Sequence, residues 1–164
     1  MLKLSGIILI FVFCVMYSYV LANALSEEYN RLVLLCDMIF DIKSYISFES
    51  MTLKEISIQL SQNASYERLG FLYVEKNCPD VKKRIMENII SSPPFKDHEI
   101  NNRLIRLFNM LGESDKKNQL DLLDGAYKYF EGQAHKLYTQ LPVKKRLYRS
   151  LGAAAGAIAA VMLI

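Results

Sequence analysis

Charge is missing from both ends of this 164-residue chain, and that constrains its fold more than any other feature. Of 37 charged residues, 36 lie from Glu27 to Arg149, and only Lys3 lies outside. Residues 4–25 carry no charge over 22 positions, and residues 150–164 carry none over 15. The chain therefore reads as an apolar head, a charged body and an apolar tail. Its hydrophobic share of 52% conceals a body at about 43%, enough for one compact core and too much for a disordered segment.

At 1.5 Å per residue, a helix over 4–25 reaches about 33 Å, enough to cross a hydrocarbon core of about 30 Å. The competing reading is a signal peptide, with Lys3 as its basic start and Ala22-Asn23-Ala24 as a cleavage site. The uncleaved anchor is the preferred expectation. The tail is shorter: 150–164 reaches about 23 Å. Gly152, Gly156 and Ala160 recur every four residues, a small-residue stripe that lets another helix approach closely. Its natural partner is the head helix of the same chain or of a neighbour; the alternative is a short buried helix of a soluble domain. Lys144, Lys145, Arg146 and Arg149 stand directly before the tail, which by the positive-inside rule places the body on the cytoplasmic side.

Within the body the spacing predicts helices throughout. No Pro or Gly occurs between Ile7 and Gly70, so the head helix is expected to continue, with Tyr29, Leu32, Cys36, Ile39, Lys43 and Ile46 on one face. Thr52 and Glu55 form a capping box ahead of Ile56, Ile58 and Leu60. Residues 66–76 read as a buried helix stopped by Asn77-Cys78-Pro79. Val81, Ile85, Met86 and Ile89 form the next face, and Ser91-Ser92-Pro93-Pro94 is a linker. Ile100, Leu104, Leu107, Phe108 and Leu111 form a stripe that ends at Gly112, and Ser114 or Asp115 caps the following helix. Two helices joined by so short a turn lie antiparallel. Leu120, Leu123, Tyr127, Phe130, Ala134, Leu137 and Leu141 extend the second of them, and Pro142 marks a kink or break before the tail helix.

The fold class is thus all-α. An N-terminal transmembrane helix (1–25) continues into a cytoplasmic helical bundle of about five to six helices (26–147), followed by a short C-terminal membrane helix (148–164). A net charge of +3 is too mild to indicate nucleic acid. No nucleotide-binding or hydrolase motif is present. His98 and His135 lack ligand spacing and read as solvated helix surface, although Glu131 and His135 share a face. Cys36 falls on an apolar face and reads as core. The basic run Lys82-Lys83-Arg84 reads as a solvated face, or else as a contact for anionic lipid or an acidic partner. The expectation is a protein with no catalytic residues, no cofactor, no metal and no small-molecule substrate.

The stretch Leu107-Phe108-Asn109-Met110-Leu111-Gly112-Glu113-Ser114-Asp115-Lys116-Lys117-Asn118-Gln119 resembles the LG-x-S-D-x-x-x-Q turn of the stage III sporulation protein AB family. The ending Tyr148-Arg149-Ser150-Leu151-Gly152 before a small-residue helix is similar to that family's ending, as are Met1-Leu2-Lys3-Leu4-Ser5-Gly6 and the Leu21-Ala22-Asn23 exit from the head. Glu49-Ser50-Met51-Thr52-Leu53 stands where the family usually has Gly-x-Thr-Pro-Leu. The resemblance implies a sporulation protein in the mother-cell membrane around the engulfed forespore. It implies a helical body similar to type II secretion platform domains, within a secretion-like channel complex. The implied partners are an ATPase of that complex, stage III sporulation protein AA, and further membrane proteins. Gly112, Ser114 and Asp115 would then build a structural hairpin, with Gln119 a candidate contact. The alternative function is a secreted or surface helical module with a cleaved signal peptide and a tail anchor.

Overall fold

The computed structural model describes residues 2–49, 51–73 and 80–163, with side chains described except at 2–5, 7, 8, 160 and 163. The expected stop at Asn77-Cys78-Pro79, and the side chains of Lys3 and Ala160, lie outside the described residues. Five α-helices follow in order: α1 (Leu2–Ser44), α2 (Leu53–Gln62), α3 (Val81–Ser91), α4 (His98–Met110) and α5 (Lys116–Leu163). A π-helical turn, Tyr45–Glu49, follows α1, and a 3₁₀ helix, Ala64–Leu69, follows α2. Among the described residues there is no strand. The all-α expectation holds, with a long apolar N-terminal helix leading into a bundle.

The chain divides into two compact units. One is Met1–Tyr29 with His135–Ile164; the other is Asn30–Ala134. Both α1 and α5 contribute to each.

In the unit Asn30–Ala134, α1 buries Leu32, Cys36, Ile39 and, beyond the expected stripe, Leu35, Met38 and Ile42. The buried face is wider than the spacing predicts because α1 has neighbours on two sides. Lys43 Nζ reaches Asp124 Oδ1 of α5 at 2.6 Å, and Tyr66 Oη donates to Asp41 Oδ2 at 2.5 Å. Burial, and then the hydrogen bond to Asp41, push the Tyr66 hydroxyl well above its ordinary value of 10.0. The Thr52–Glu55 capping box forms as expected. Hydrogen bonds from the Thr52 side chain and backbone hold the Glu55 carboxyl below its usual range. Asp80 and Asp97 cap α3 and α4 by accepting from Lys83 N and Glu99 N. The α4 stripe Ile100, Leu104, Leu107, Phe108 and Leu111 is buried throughout. Cys36 is core, as expected.

Two expectations fail. The helix predicted over 66–76 does not form in its described part. Gly70 adopts φ +77°, the left-handed region, and ends the 3₁₀ turn. Phe71 and Leu72 are buried without helical backbone, and Asn88 Nδ2 donates to the carbonyls of Phe71 and Tyr73 at 3.1 and 2.9 Å. A side chain of α3 thus satisfies backbone groups that a helix would have paired internally. The second failure is the break, one of the two outcomes expected at Pro142: α5 runs through it. Proline removes one N–H and strains the preceding turn. Packing on both sides of Pro142 holds the helix, with Tyr138 against Tyr29 and Arg149 over Tyr19. The expected tail helix is therefore the last part of α5 and not an element of its own.

Candidate functional site

Two places collect the residues singled out from sequence. The first is the paired stretch of α1 and α5 in the unit Met1–Tyr29 with His135–Ile164. The ring centroids of Tyr29 and Tyr138 lie 5.5 Å apart, and the Arg149 guanidinium sits 4.9 Å from the centre of the Tyr19 ring. A Cβ added at Gly152 would fall on the Ser18 side chain. One added at Gly156 would lie 2.7 Å from Phe11 Cδ2 and 3.5 Å from Cys14 Cβ. Residue numbers fall on α1 as they rise on α5, so the two helices run antiparallel. Gly152 and Gly156 are glycines because the facing side chains occupy the space a Cβ needs. Both are buried, as are Ser18 and Ala22 opposite. Ser18 Oγ is satisfied within its own helix by the Val15 carbonyl at 2.8 Å.

Sequence reading did not single out a packing face on α1. The signal is there: Cys14, Ser18 and Ala22 are small and spaced by four, the same pattern as on the tail. It is hidden by the large residues that alternate with them. Those large residues point outward, with Leu9, Phe13, Met16 and Val20 on α1 and Val161 and Met162 on α5 strongly exposed. By length and composition, α1 with its π turn is the one helix among the described residues able to cross a membrane, with a mean hydropathy of 1.9 over its most apolar window. Lys144 and Lys145 are half-buried, and Arg146 and Arg149 are exposed.

The second place is the turn between α4 and α5. Leu111 closes α4, its N–H bonded to the Leu107 carbonyl at 3.0 Å, and Gly112 takes φ +83°. Asp115 stands just before α5; its carboxylate accepts from the Asn118 side chain and its carbonyl from Gln119 N at 3.0 Å. Gln119 Nε2 donates to the Ser114 carbonyl at 2.6 Å. The amide of Gln119 therefore ties the turn to itself. Three other segments hold the tip: Lys82 of α3 reaches Glu113 at 2.6 Å, and Lys116 Nζ donates to the Ser47 carbonyl at 2.8 Å. Leu53 of α2 lies 3.5 Å from where a Gly112 Cβ would stand. Gly112, Ser114 and Asp115 are exposed and Gln119 is half-buried. Behind the turn α4 and α5 run antiparallel, with Arg103 4.3 Å above the centre of the Tyr129 ring. A groove of about 280 Å³ opens between them, over Leu107, Met110, Leu122 and Phe130.

Among the described residues no three His, Cys, Asp or Glu side chains gather as metal ligands would. His98, at the first turn of α4, and His135, on α5, are both exposed. The arrangement can hold helices together and present surfaces.

A family model, "Stage III sporulation protein AB (spore_III_AB)", matches residues 3–164. No curated protein and no solved structure matches the chain. The family match spans the paired apolar ends and the turn at Gly112 alike, and the chain belongs to the stage III sporulation protein AB family.

Proposed function

We propose that this member of a stage III sporulation family is a non-enzymatic membrane platform. In this reading α1 and the end of α5 anchor it together. The anchor lies in the mother-cell membrane facing the forespore, and the helical body is cytoplasmic. It docks a cytoplasmic ATPase, stage III sporulation protein AA, within a secretion-like channel complex. The observation that carries the reading is the fit of Gly152 and Gly156 against Ser18, Cys14 and Phe11. It gives the weakly apolar tail a partner of its own chain, and the outward faces of both helices suit lipid. It also favours an uncleaved head, because removal at Ala22-Asn23-Ala24 would strip the tail of the surface it packs on. The four cations from Lys144 to Arg149 support a cytoplasmic body.

The test is affinity purification of the tagged full chain from solubilised membranes of sporulating cells. The ATPase is expected to co-purify in near-stoichiometric amount, and the purified chain alone to hydrolyse no nucleotide. Absence of the ATPase from the purified material, when both proteins are present in the starting membranes, would overturn the docking role.

A further inference from the structure

Lys144, Lys145 and Arg146 stand together on α5, directly before its uncharged end. None forms an ion pair with a carboxylate among the described residues. The antiparallel pairing explains why. Arg149 lies over Tyr19, and Tyr138 lies against Tyr29, so the cations fall alongside residues 19–24 of α1. That stretch, Tyr-Val-Leu-Ala-Asn-Ala, is uncharged. Towards Leu163, α5 has no further charge, and α1 is uncharged back to Leu4. The four cations thus stand at the edge of a two-helix apolar surface. Lys144 to Arg149 covers about 8 Å of helix, close to the thickness of about 5–8 Å of one headgroup layer. Tyr17, Tyr19 and Tyr148 lie at the same end of that surface, where interfacial aromatic residues collect. Lysine and arginine stems can lie along the apolar helix while their charged ends stay at headgroup level.

We infer that Lys144, Lys145, Arg146 and Arg149 form a binding site for the phosphates of anionic phospholipid headgroups, at the level of Tyr19 on the paired helix. This rests on the membrane-anchored reading above. Arg149 is fixed over the Tyr19 ring, which orients it, and the other three supply the lipid preference. The nearest carboxylates of α1, Glu27 and Glu28, lie beyond the uncharged stretch 19–24, and no ion pair joins them to these cations among the described residues. An anionic headgroup supplies the opposite charge, and the apolar surface beside it takes the acyl chains. Attraction to an anionic surface is worth roughly fivefold per cation.

The test is native mass spectrometry of the full chain in a neutral detergent with equimolar phosphatidylglycerol and phosphatidylcholine. The expected result is phosphatidylglycerol retained at least tenfold over phosphatidylcholine. The triple variant Lys144→Gln, Lys145→Gln, Arg146→Gln is expected to approach parity, and Lys82→Gln, Lys83→Gln, Arg84→Gln to keep the preference. Equal retention by the unaltered chain, or an undiminished preference in the first variant, would overturn the site. So would displacement of the lipid by inorganic phosphate at equal concentration, which would mark a site for the free anion. Alkaline extraction of membranes separates this from the reading beneath it. A chain released by carbonate refutes membrane anchoring; a chain that stays in the pellet but shows no lipid preference refutes only the lipid site.

Discussion

Asn101 shows how much one polar side chain can hold. It is buried on the apolar stripe of α4, where its amide accepts from Phe95 N at 3.2 Å and donates to Phe95 O at 2.7 Å. Both bonds close the turn after Pro93-Pro94, whose backbone has no helix to pair with. Asn101→Ala leaves two buried backbone groups unpartnered, and the chain is expected to lose about 3 kcal/mol in denaturant unfolding. A loss under about 0.5 kcal/mol would mean that the turn does not depend on Asn101. Tyr66 gives a prediction in pH. Its raised pKa means that the folded state favours the neutral phenol, so the stability it contributes is complete below the ordinary value of 10.0 and is lost as pH rises beyond it. Tyr66→Phe is expected to be less stable than the unaltered chain by about 1–2 kcal/mol at pH 7, through loss of the bond to Asp41. The gap should close above pH 10. A gap that is constant or widening across pH 9–11, followed by circular dichroism in denaturant, would contradict the assignment.

At the scale of elements, the pairing of α1 with α5 near Gly152 is a steric statement. Gly152→Leu would drive a side chain into Ser18 and towards the Cys14 carbonyl, and overpacking of this kind costs about 1–3 kcal/mol. The variant is expected to expose Lys144 and Lys145 to trypsin in detergent several-fold faster. Ala154→Leu, on an exposed position of the same helix, should be cut at the unaltered rate. Equal rates for the two variants would refute close packing at Gly152. Much of this was legible beforehand. The absence of Pro and Gly after Ile7 foretold one unbroken α1, Thr52 with Glu55 foretold a capping box, and Leu111-Gly112 foretold the stop of α4. The structure departs from the sequence reading where a distant segment decides the local backbone. Residues 66–73 have an apolar pattern that fits a helix, but Gly70 and the Asn88 amide hold them otherwise. Pro142 reads as a kink or break, and α5 continues through it. The turn at Gly112 was legible as a hairpin. The roles of Lys82, Ser47 and Leu53 in holding it were not, because their spacing in the chain reveals no contact.

At the scale of the whole molecule, the proposed function has the two uncharged ends attach the chain to a membrane. The 14 residues of α5 beyond Arg149 rise only about 21 Å, short of a hydrocarbon core of about 30 Å. In that reading the end of α5, seated on α1 at Gly152 and Gly156, shares the longer helix's hold. The two ends then form one anchoring pair within a single, uncleaved chain. Cys14 offers a direct measurement, because a Cβ at position 156 would stand 3.5 Å from its own, within the range of disulfides. Gly156→Cys, oxidised mildly in isolated membranes and digested, should yield a peptide pair joined through Cys14 and position 156 within one chain. A chain that begins after Ala24, or a bond found only between chains, would contradict the account.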